Sequence, residues 1–252
     1  MPQPFNPFSL AGKELLVTGA SSGIGRAVAQ ACARMGASVH VTGRNKHRLA
    51  ETVSALGENC ACAVPADLDG AQGIDNLTGQ LPKLDGVVHC AGISMRTPCK
   101  NITGQELEAL FKTNLNAPVL LQAALLQQKK INKAASIVFL ASRAAESPSA
   151  GNAAYSATKG ALISYAKCLA LELAPRQVRV NCICPGMVWT PMITEGCIDT
   201  EHLEEAQAMY PLKRYGKPED IAHLAVYLLS DASSWMTGSC IDISGGGEGV
   251  LT

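Results

Sequence analysis

The sequence has no excess of either charge: its 252 residues carry 21 basic and 21 acidic side chains. Such a balance gives no electrostatic pull toward nucleic acid or an anionic membrane surface, and neither is expected as a partner. No apolar run approaches the length that spans a bilayer. The start, Met1-Pro2-Gln3-Pro4-Phe5-Asn6-Pro7-Phe8, lacks a basic cluster and an apolar signal core, so secretion is not expected and the cytoplasm is. Ten cysteines are present, yet none forms a Cys-x-x-Cys turn. Cys60/Cys62 and Cys182/Cys184 stand two apart in strand-like runs, which suits reduced packing residues; no metal is expected. Repeats, low-complexity tracts and linkers are also missing, which predicts one domain over residues 1–252.

What the sequence does have is an unbroken alternation of apolar strand-like runs with helical stretches. Strands are predicted at 14–18, 38–42, 60–66, 84–90, 136–141, 178–184 and 239–243. Helices are predicted at 25–35, 46–56, 103–129, 152–173 and 218–229, with a weaker one near 71–81. Strands apolar on both faces, each followed by a helix, predict an α/β fold: a doubly wound Rossmann-type parallel sheet of seven strands covered on both sides. Thr103 with Glu106 three residues on predicts a capped helix start, and Pro218 suits a first helical turn. The longest irregular stretch, 187–216, is read as a lid over whatever the strand ends bind.

Three groups of residues carry chemistry. The turn Thr18-Gly19-Ala20-Ser21-Ser22-Gly23-Ile24-Gly25 falls between the first strand and first helix. There, glycines let backbone approach a pyrophosphate, Ser21 and Ser22 add hydroxyl donors, and the helix start offers free N–H groups. The end of the second strand reads Val41-Thr42-Gly43-Arg44-Asn45 and holds no acid for the ribose hydroxyls of NAD. Arg44 instead offers a fork to the extra phosphate of NADP, so NADP(H) is the expected cofactor. Tyr155 and Lys159 are four apart on one predicted helix and share a face. A nearby ammonium would pull the tyrosine pKa toward neutrality, as acid–base work requires. Tyr210 and Arg214 have the same spacing, but Pro211 between them argues against a helix. Ser142 follows the fifth strand and supplies a hydroxyl.

In this arrangement the sequence resembles the short-chain dehydrogenase/reductase family along nearly its whole length. The resemblance is carried by residues 18–25, Asp67-Leu68, Ala91-Gly92, Asn114, Ser142, Tyr155, Lys159, Pro185-Gly186, Thr190 and Gly245-Gly246. It implies that Asp67 and Leu68 flank the adenine, that Ala91, Gly92, Pro185 and Gly186 lie along the cofactor, and that Val188 and Thr190 meet the nicotinamide amide. It further implies that Asn114 holds a water leading from Lys159 to solvent, and that the chain forms a homotetramer through its two long helices. His89-Cys90 replaces the family's usual asparagine pair before Ala91-Gly92, which puts local bracing in question; His89 is read as structural and Cys90 as packing.

The implied activity is NADP(H)-dependent interconversion of a carbonyl and a secondary alcohol, with Tyr155 as acid/base. Residues 211–220 resemble the 3-oxoacyl-[acyl-carrier-protein] reductases of the family, so a small-molecule or acyl-thioester carbonyl is the expected substrate. A sugar, polyol or small-ketone reductase is the alternative within the family. An NADP-binding redox sensor or scaffold is the alternative outside enzymology.

Overall fold

Seven parallel strands form the centre of the protein, a computed structural model that describes residues 5–194 and 200–247. The strands are β1 (Glu14–Val17), β2 (Ser38–Gly43), β3 (Cys60–Pro65), β4 (Leu84–His89), β5 (Ile131–Leu140), β6 (Arg179–Pro185) and β7 (Cys240–Ile243). Their spatial order is β3-β2-β1-β4-β5-β6-β7. After β3 the chain returns to the far side of β1, so the direction of winding reverses between β1 and β4. In open parallel sheets the crevice at that reversal, outside the carboxyl ends of the strands, is where ligands bind.

Side chains alternate along each strand, which divides the core into two layers. Leu16, Val87, Ile137 and Phe139 face α3 (Ala71–Gly79), α5 (Ala117–Gln127) and α6 (Ala153–Leu173). Leu15, Val17, Val39, Val88 and Val138 face α1 (Gly23–Arg34), α2 (Lys46–Leu56) and α9 (Pro218–Leu229). The expected caps are present. Thr103 Oγ1 accepts from Glu106 N at 3.2 Å while Glu106 Oε2 accepts from Thr103 N at 3.1 Å, opening α4 (Gly104–Phe111). Asp220 Oδ2 accepts from Lys217 N at 2.7 Å ahead of Pro218.

Two expectations are corrected. The helix predicted over 103–129 is interrupted: between α4 and α5 lies one π turn, Lys112–Asn116, in which Ala117 N–H reaches back to Lys112 O. Pro118 has no N–H to give to the carbonyl of Asn114 four residues earlier, so a regular helix could not run through this point without losing a bond. The stretch 187–216 is not irregular throughout. It contains α7 (Pro191–Thr194) and α8 (Thr200–Met209), while residues 195–199 of the expected lid lie outside the described residues.

Candidate active site

The glycine turn is built by close approach of backbone to backbone. Gly19 has φ +63°, and a Cβ there would come within 2.8 Å of Ala91 N at the end of β4. A Cβ on Gly25 would lie 2.4 Å from Gly19 O. No other residue fits either position. Thr18 Oγ1 accepts from Cys90 N at 3.1 Å and Ala91 N at 3.2 Å, joining the two strand ends beneath the turn. Arg26 holds the turn from behind: Nη2 donates to Ser21 O at 2.6 Å and Arg48 O at 2.9 Å, and Nε donates to Thr52 Oγ1 at 3.0 Å. Neither Arg26 nor Thr52 is visible as a site residue in the sequence, because the bonds that join them to each other and to the turn cross between α1 and α2.

A cleft of about 300 Å³ opens at this turn. Gly19, Ser21, Ser22, Gly23, Ile24 and Gly25 line it, with Arg44 beyond β2, Asp67 and Leu68 beyond β3, Ala91 and Gly92 beyond β4, and Thr190 from the far side. Asp69 and Thr113 also line it and hydrogen-bond each other, Thr113 Oγ1 donating to Asp69 Oδ2 at 2.8 Å. The resemblance reaches only Asp67-Leu68 in this region, and nothing in the sequence pairs Asp69 with Thr113, 44 residues away. Pro185, Gly186 and Val188 are not among the residues that line this cleft: Pro185 closes β6, Gly186 abuts Ser244, and the buried Val188 pairs with Gly216. The cradle of glycines, hydroxyls and a helix start fits a pyrophosphate.

Asn114, Ser142, Tyr155 and Lys159 adjoin this cleft through Gly92. A Cβ on Gly92 would stand 3.2 Å from Asn114 Oδ1 and 3.6 Å from Lys159 Nζ. The π turn aims Asn114 inward, where Oδ1 accepts from Ile93 N at 2.8 Å and Nδ2 donates to Ile93 O at 2.9 Å. Lys159 is buried, donates to Leu140 O at 2.8 Å, and lies 5.7 Å from the centre of the Tyr155 ring. Ser142 stands within reach of the Tyr155 side chain and acts to lower its pKa, while its Oγ accepts from Ala144 N at 3.1 Å.

The electrostatics differ from the expectation that Lys159 acidifies Tyr155. Burial pushes the Tyr155 phenol above its ordinary value, and the opposing influence is Ser142. Burial also pulls the Lys159 ammonium down to about 8. With Nζ turned to the Leu140 carbonyl, the cation lies over the ring rather than bonding its oxygen. The spacing Tyr-x-x-x-Lys thus brings the two together without dictating where the ammonium points.

His89 supplies the bracing that the missing asparagines put in question. Its ring is stacked 4.6 Å from Phe139, and Nε2 pairs with Gln122 Oε1 at 3.1 Å. Burial lowers its pKa to about 4, so it is neutral at physiological pH.

Comparison with known proteins agrees with this geometry. A family model described as enoyl-(acyl carrier protein) reductase matches residues 19–248. The 3-oxoacyl-[acyl-carrier-protein] reductase of Rickettsia felis is 32% identical over 94% of this chain and 97% of its own. A short-chain dehydrogenase/reductase of Brucella melitensis superposes with a TM-score of 0.89 at 32% identity, covering 98% of this chain and all of the other. A putative NAD(P)-dependent gluconate 5-dehydrogenase of Beutenbergia cavernae, solved with NADP bound, gives 0.86 at 34% identity, covering 96% and 98%. With a family model spanning most of its length and a parallel sheet wound in the same way, the chain belongs to the short-chain dehydrogenase/reductase family of oxidoreductases.

Proposed function

We propose that this oxidoreductase is an NADP(H)-dependent carbonyl reductase in which Tyr155 is the acid. The observation that carries the reading is the chain of contacts from Ser142 to Tyr155 to Lys159 to Gly92, which sets a hydroxyl, a phenol and an ammonium beside a nucleotide cradle. When bound, the reduced nicotinamide supplies the hydride. Ser142 donates a hydrogen bond to the substrate oxygen and positions it, while Tyr155 gives its proton to that oxygen as negative charge develops. A phenol whose pKa burial has raised is fully protonated at neutral pH and so is ready for the reductive direction. Lys159 binds the ribose hydroxyls, and Asn114 holds the water through which Lys159 communicates with solvent. Ser21, Ser22 and the turn from Gly19 to Gly25 hold the pyrophosphate, and Arg44 the 2′-phosphate.

The substrate class nearest to the relatives is a 3-oxoacyl thioester, with sugar and small-ketone reduction as the alternative. The working form is a cytoplasmic homotetramer. A spectrophotometric screen of acetoacetyl and crotonyl thioesters, ketoses and diketones, each with NADPH and NADH, tests the proposal. Steady oxidation of NADPH with a ketone is expected; a nucleotide-binding protein that turns over none of them would be a sensor or scaffold instead.

A further inference from the structure

Between Gly92 and Thr97 the chain runs from Lys159 to the loop in front of Tyr155. At one end is Gly92, whose Cβ would be 3.6 Å from Lys159 Nζ. At the other, Thr97 N donates to Gly151 O at 2.8 Å, and Gly151 lies four residues before Tyr155. Arg96 stands on this span, exposed, against Ala150 and Gly151 of the loop that leads into the helix of Tyr155 and Lys159.

Its stem is fixed while its fork is not used. Nε donates to Ala150 O at 3.2 Å. Cγ lies against Gly151 so closely that a Cβ there would be 2.9 Å away, and Gly151 has φ +84°, so this residue is glycine for two independent reasons. Among the described residues no carboxylate pairs with the two terminal nitrogens of Arg96. Neighbouring arginines are engaged differently. Arg143, next to Ser142, bonds Asp242, Glu146 and Ser147, and Arg214 bonds Asp220 through both terminal nitrogens. An arginine whose stem is already ordered loses little freedom on binding, and its open fork matches the two oxygens of a carboxylate or phosphate.

We propose that Arg96 binds an oxyanion on the substrate, so that the preferred carbonyl compounds are small keto acids or keto phosphates rather than neutral ketones. The inference rests on the carbonyl-reductase reading and sets small oxyanionic ketones in place of the 3-oxoacyl thioesters to which the relatives point.

The test uses matched pairs that differ in charge but not in the reacting ketone. These are 3-oxobutanoate, 4-oxopentanoate and 5-oxohexanoate against their methyl esters, and dihydroxyacetone phosphate against dihydroxyacetone. The wild-type protein should favour the anion in at least one pair, which also tells carboxylate from phosphate. Arg96→Gln should lower the anion-to-neutral ratio of kcat/KM in that pair by about tenfold, the lower range for a charge-assisted bond at an exposed residue. Arg96→Lys, which keeps the charge without the fork, should fall between. A wild-type preference for the neutral member of every pair overturns the proposal. So does a variant in which both members decline together and the ratio stands still, which identifies a structural staple. Turnover of no member of any pair while acetoacetyl thioesters are reduced overturns the inference alone; turnover of no carbonyl compound at all, with either cofactor, overturns the carbonyl-reductase reading and the inference with it.

Discussion

The floor of the cleft and its roof are held in place by different forces. On the floor, candidate site residues are tied to backbone: Lys159 to Leu140 O at 2.8 Å, Asn114 to both polar groups of Ile93, and Thr18 to the amides of Cys90 and Ala91. On the roof, the segment whose Thr190, Pro191 and Met192 line the cleft, Tyr215 packs against both Trp189 and Tyr210, with ring centres 5.3 and 4.9 Å apart, and Leu203 of α8 is buried in the same cluster. Hydrogen bonds are directional and fix an atom to within tenths of an ångström, whereas apolar contact rewards burial and tolerates exchange of similar volumes. A floor made this way presents groups at set positions to a reacting centre. The roof made this way can be rebuilt for another substrate without disturbing them.

Removing the floor's acid should have the largest effect. Tyr155→Phe keeps the ring against its neighbours but deletes the proton that the developing alkoxide takes, so kcat should fall by roughly 10²–10⁴-fold with cofactor binding little altered. Near-normal turnover in this variant would remove Tyr155 from the acid's role. At the outer end of the floor, Arg44→Asp puts a repulsive carboxylate where a phosphate is expected. Losing one charge-assisted bond should weaken NADPH by roughly 10–150-fold and leave NADH unchanged or improved, read as kcat/KM for both cofactors at low salt. An enzyme that prefers NADH from the outset would make Arg44 an ordinary surface charge.

Lys159 separates two accounts of the pH dependence. Burial holds its pKa near 8, below the ordinary lysine value, so its charge is present below that pH and is lost as pH rises through it. The reductive rate should therefore decline on the alkaline side near pH 8, before Tyr155 ionises, because burial has moved the phenol the other way. Lys159→Arg retains a cation that does not titrate in this range, so among active preparations the alkaline limb should move up by a pH unit or more. A limb that stays in place would assign it to a group other than Lys159.

The same contrast explains what the sequence discloses. Six strands, all but β5, and the helices α2, α6 and α9 can be placed within about a residue from apolar runs and caps, because each packs against the sheet or lies within it. The floor is legible because close approach and directional bonds admit few residue types: glycine at 19 and 25, threonine at 18, asparagine at 114. The roof is not. Helix α8 is a polar segment in which Leu203 is buried in the aromatic cluster, so it carries no apolar stripe to announce it. The π turn escapes notice for a different reason: Pro118 sits inside a run that otherwise has the period of one long helix. The direction taken by Lys159 Nζ, toward Leu140 rather than the tyrosine oxygen, depends on a strand 19 residues away in sequence.

Disturbing the roof should give the smallest effect, and one of a different kind. Gln207 Oε1 accepts from the indole N–H of Trp189 at 3.0 Å and from Tyr215 N at 3.4 Å, linking α8 to the segment that carries Val188 and Thr190. Gln207→Leu keeps comparable bulk and removes the one acceptor that serves both bonds, at a cost of about 1 kcal/mol, roughly fivefold in an equilibrium. Since Trp189 stands between two residues expected to meet the nicotinamide, that loss should raise the KM for NADPH by about this factor and leave kcat within twofold. The chain has two tryptophans, and Trp235 is 98% exposed, so a Trp235→Phe background makes Trp189 the reporter. Its emission should shift to the red in Gln207→Leu, as the indole loses its fixed partner, and return toward the original when the cofactor is added. If kcat collapsed as it should in Tyr155→Phe, the roof would be part of the catalytic apparatus, and the division between a directional floor and an exchangeable roof would fail.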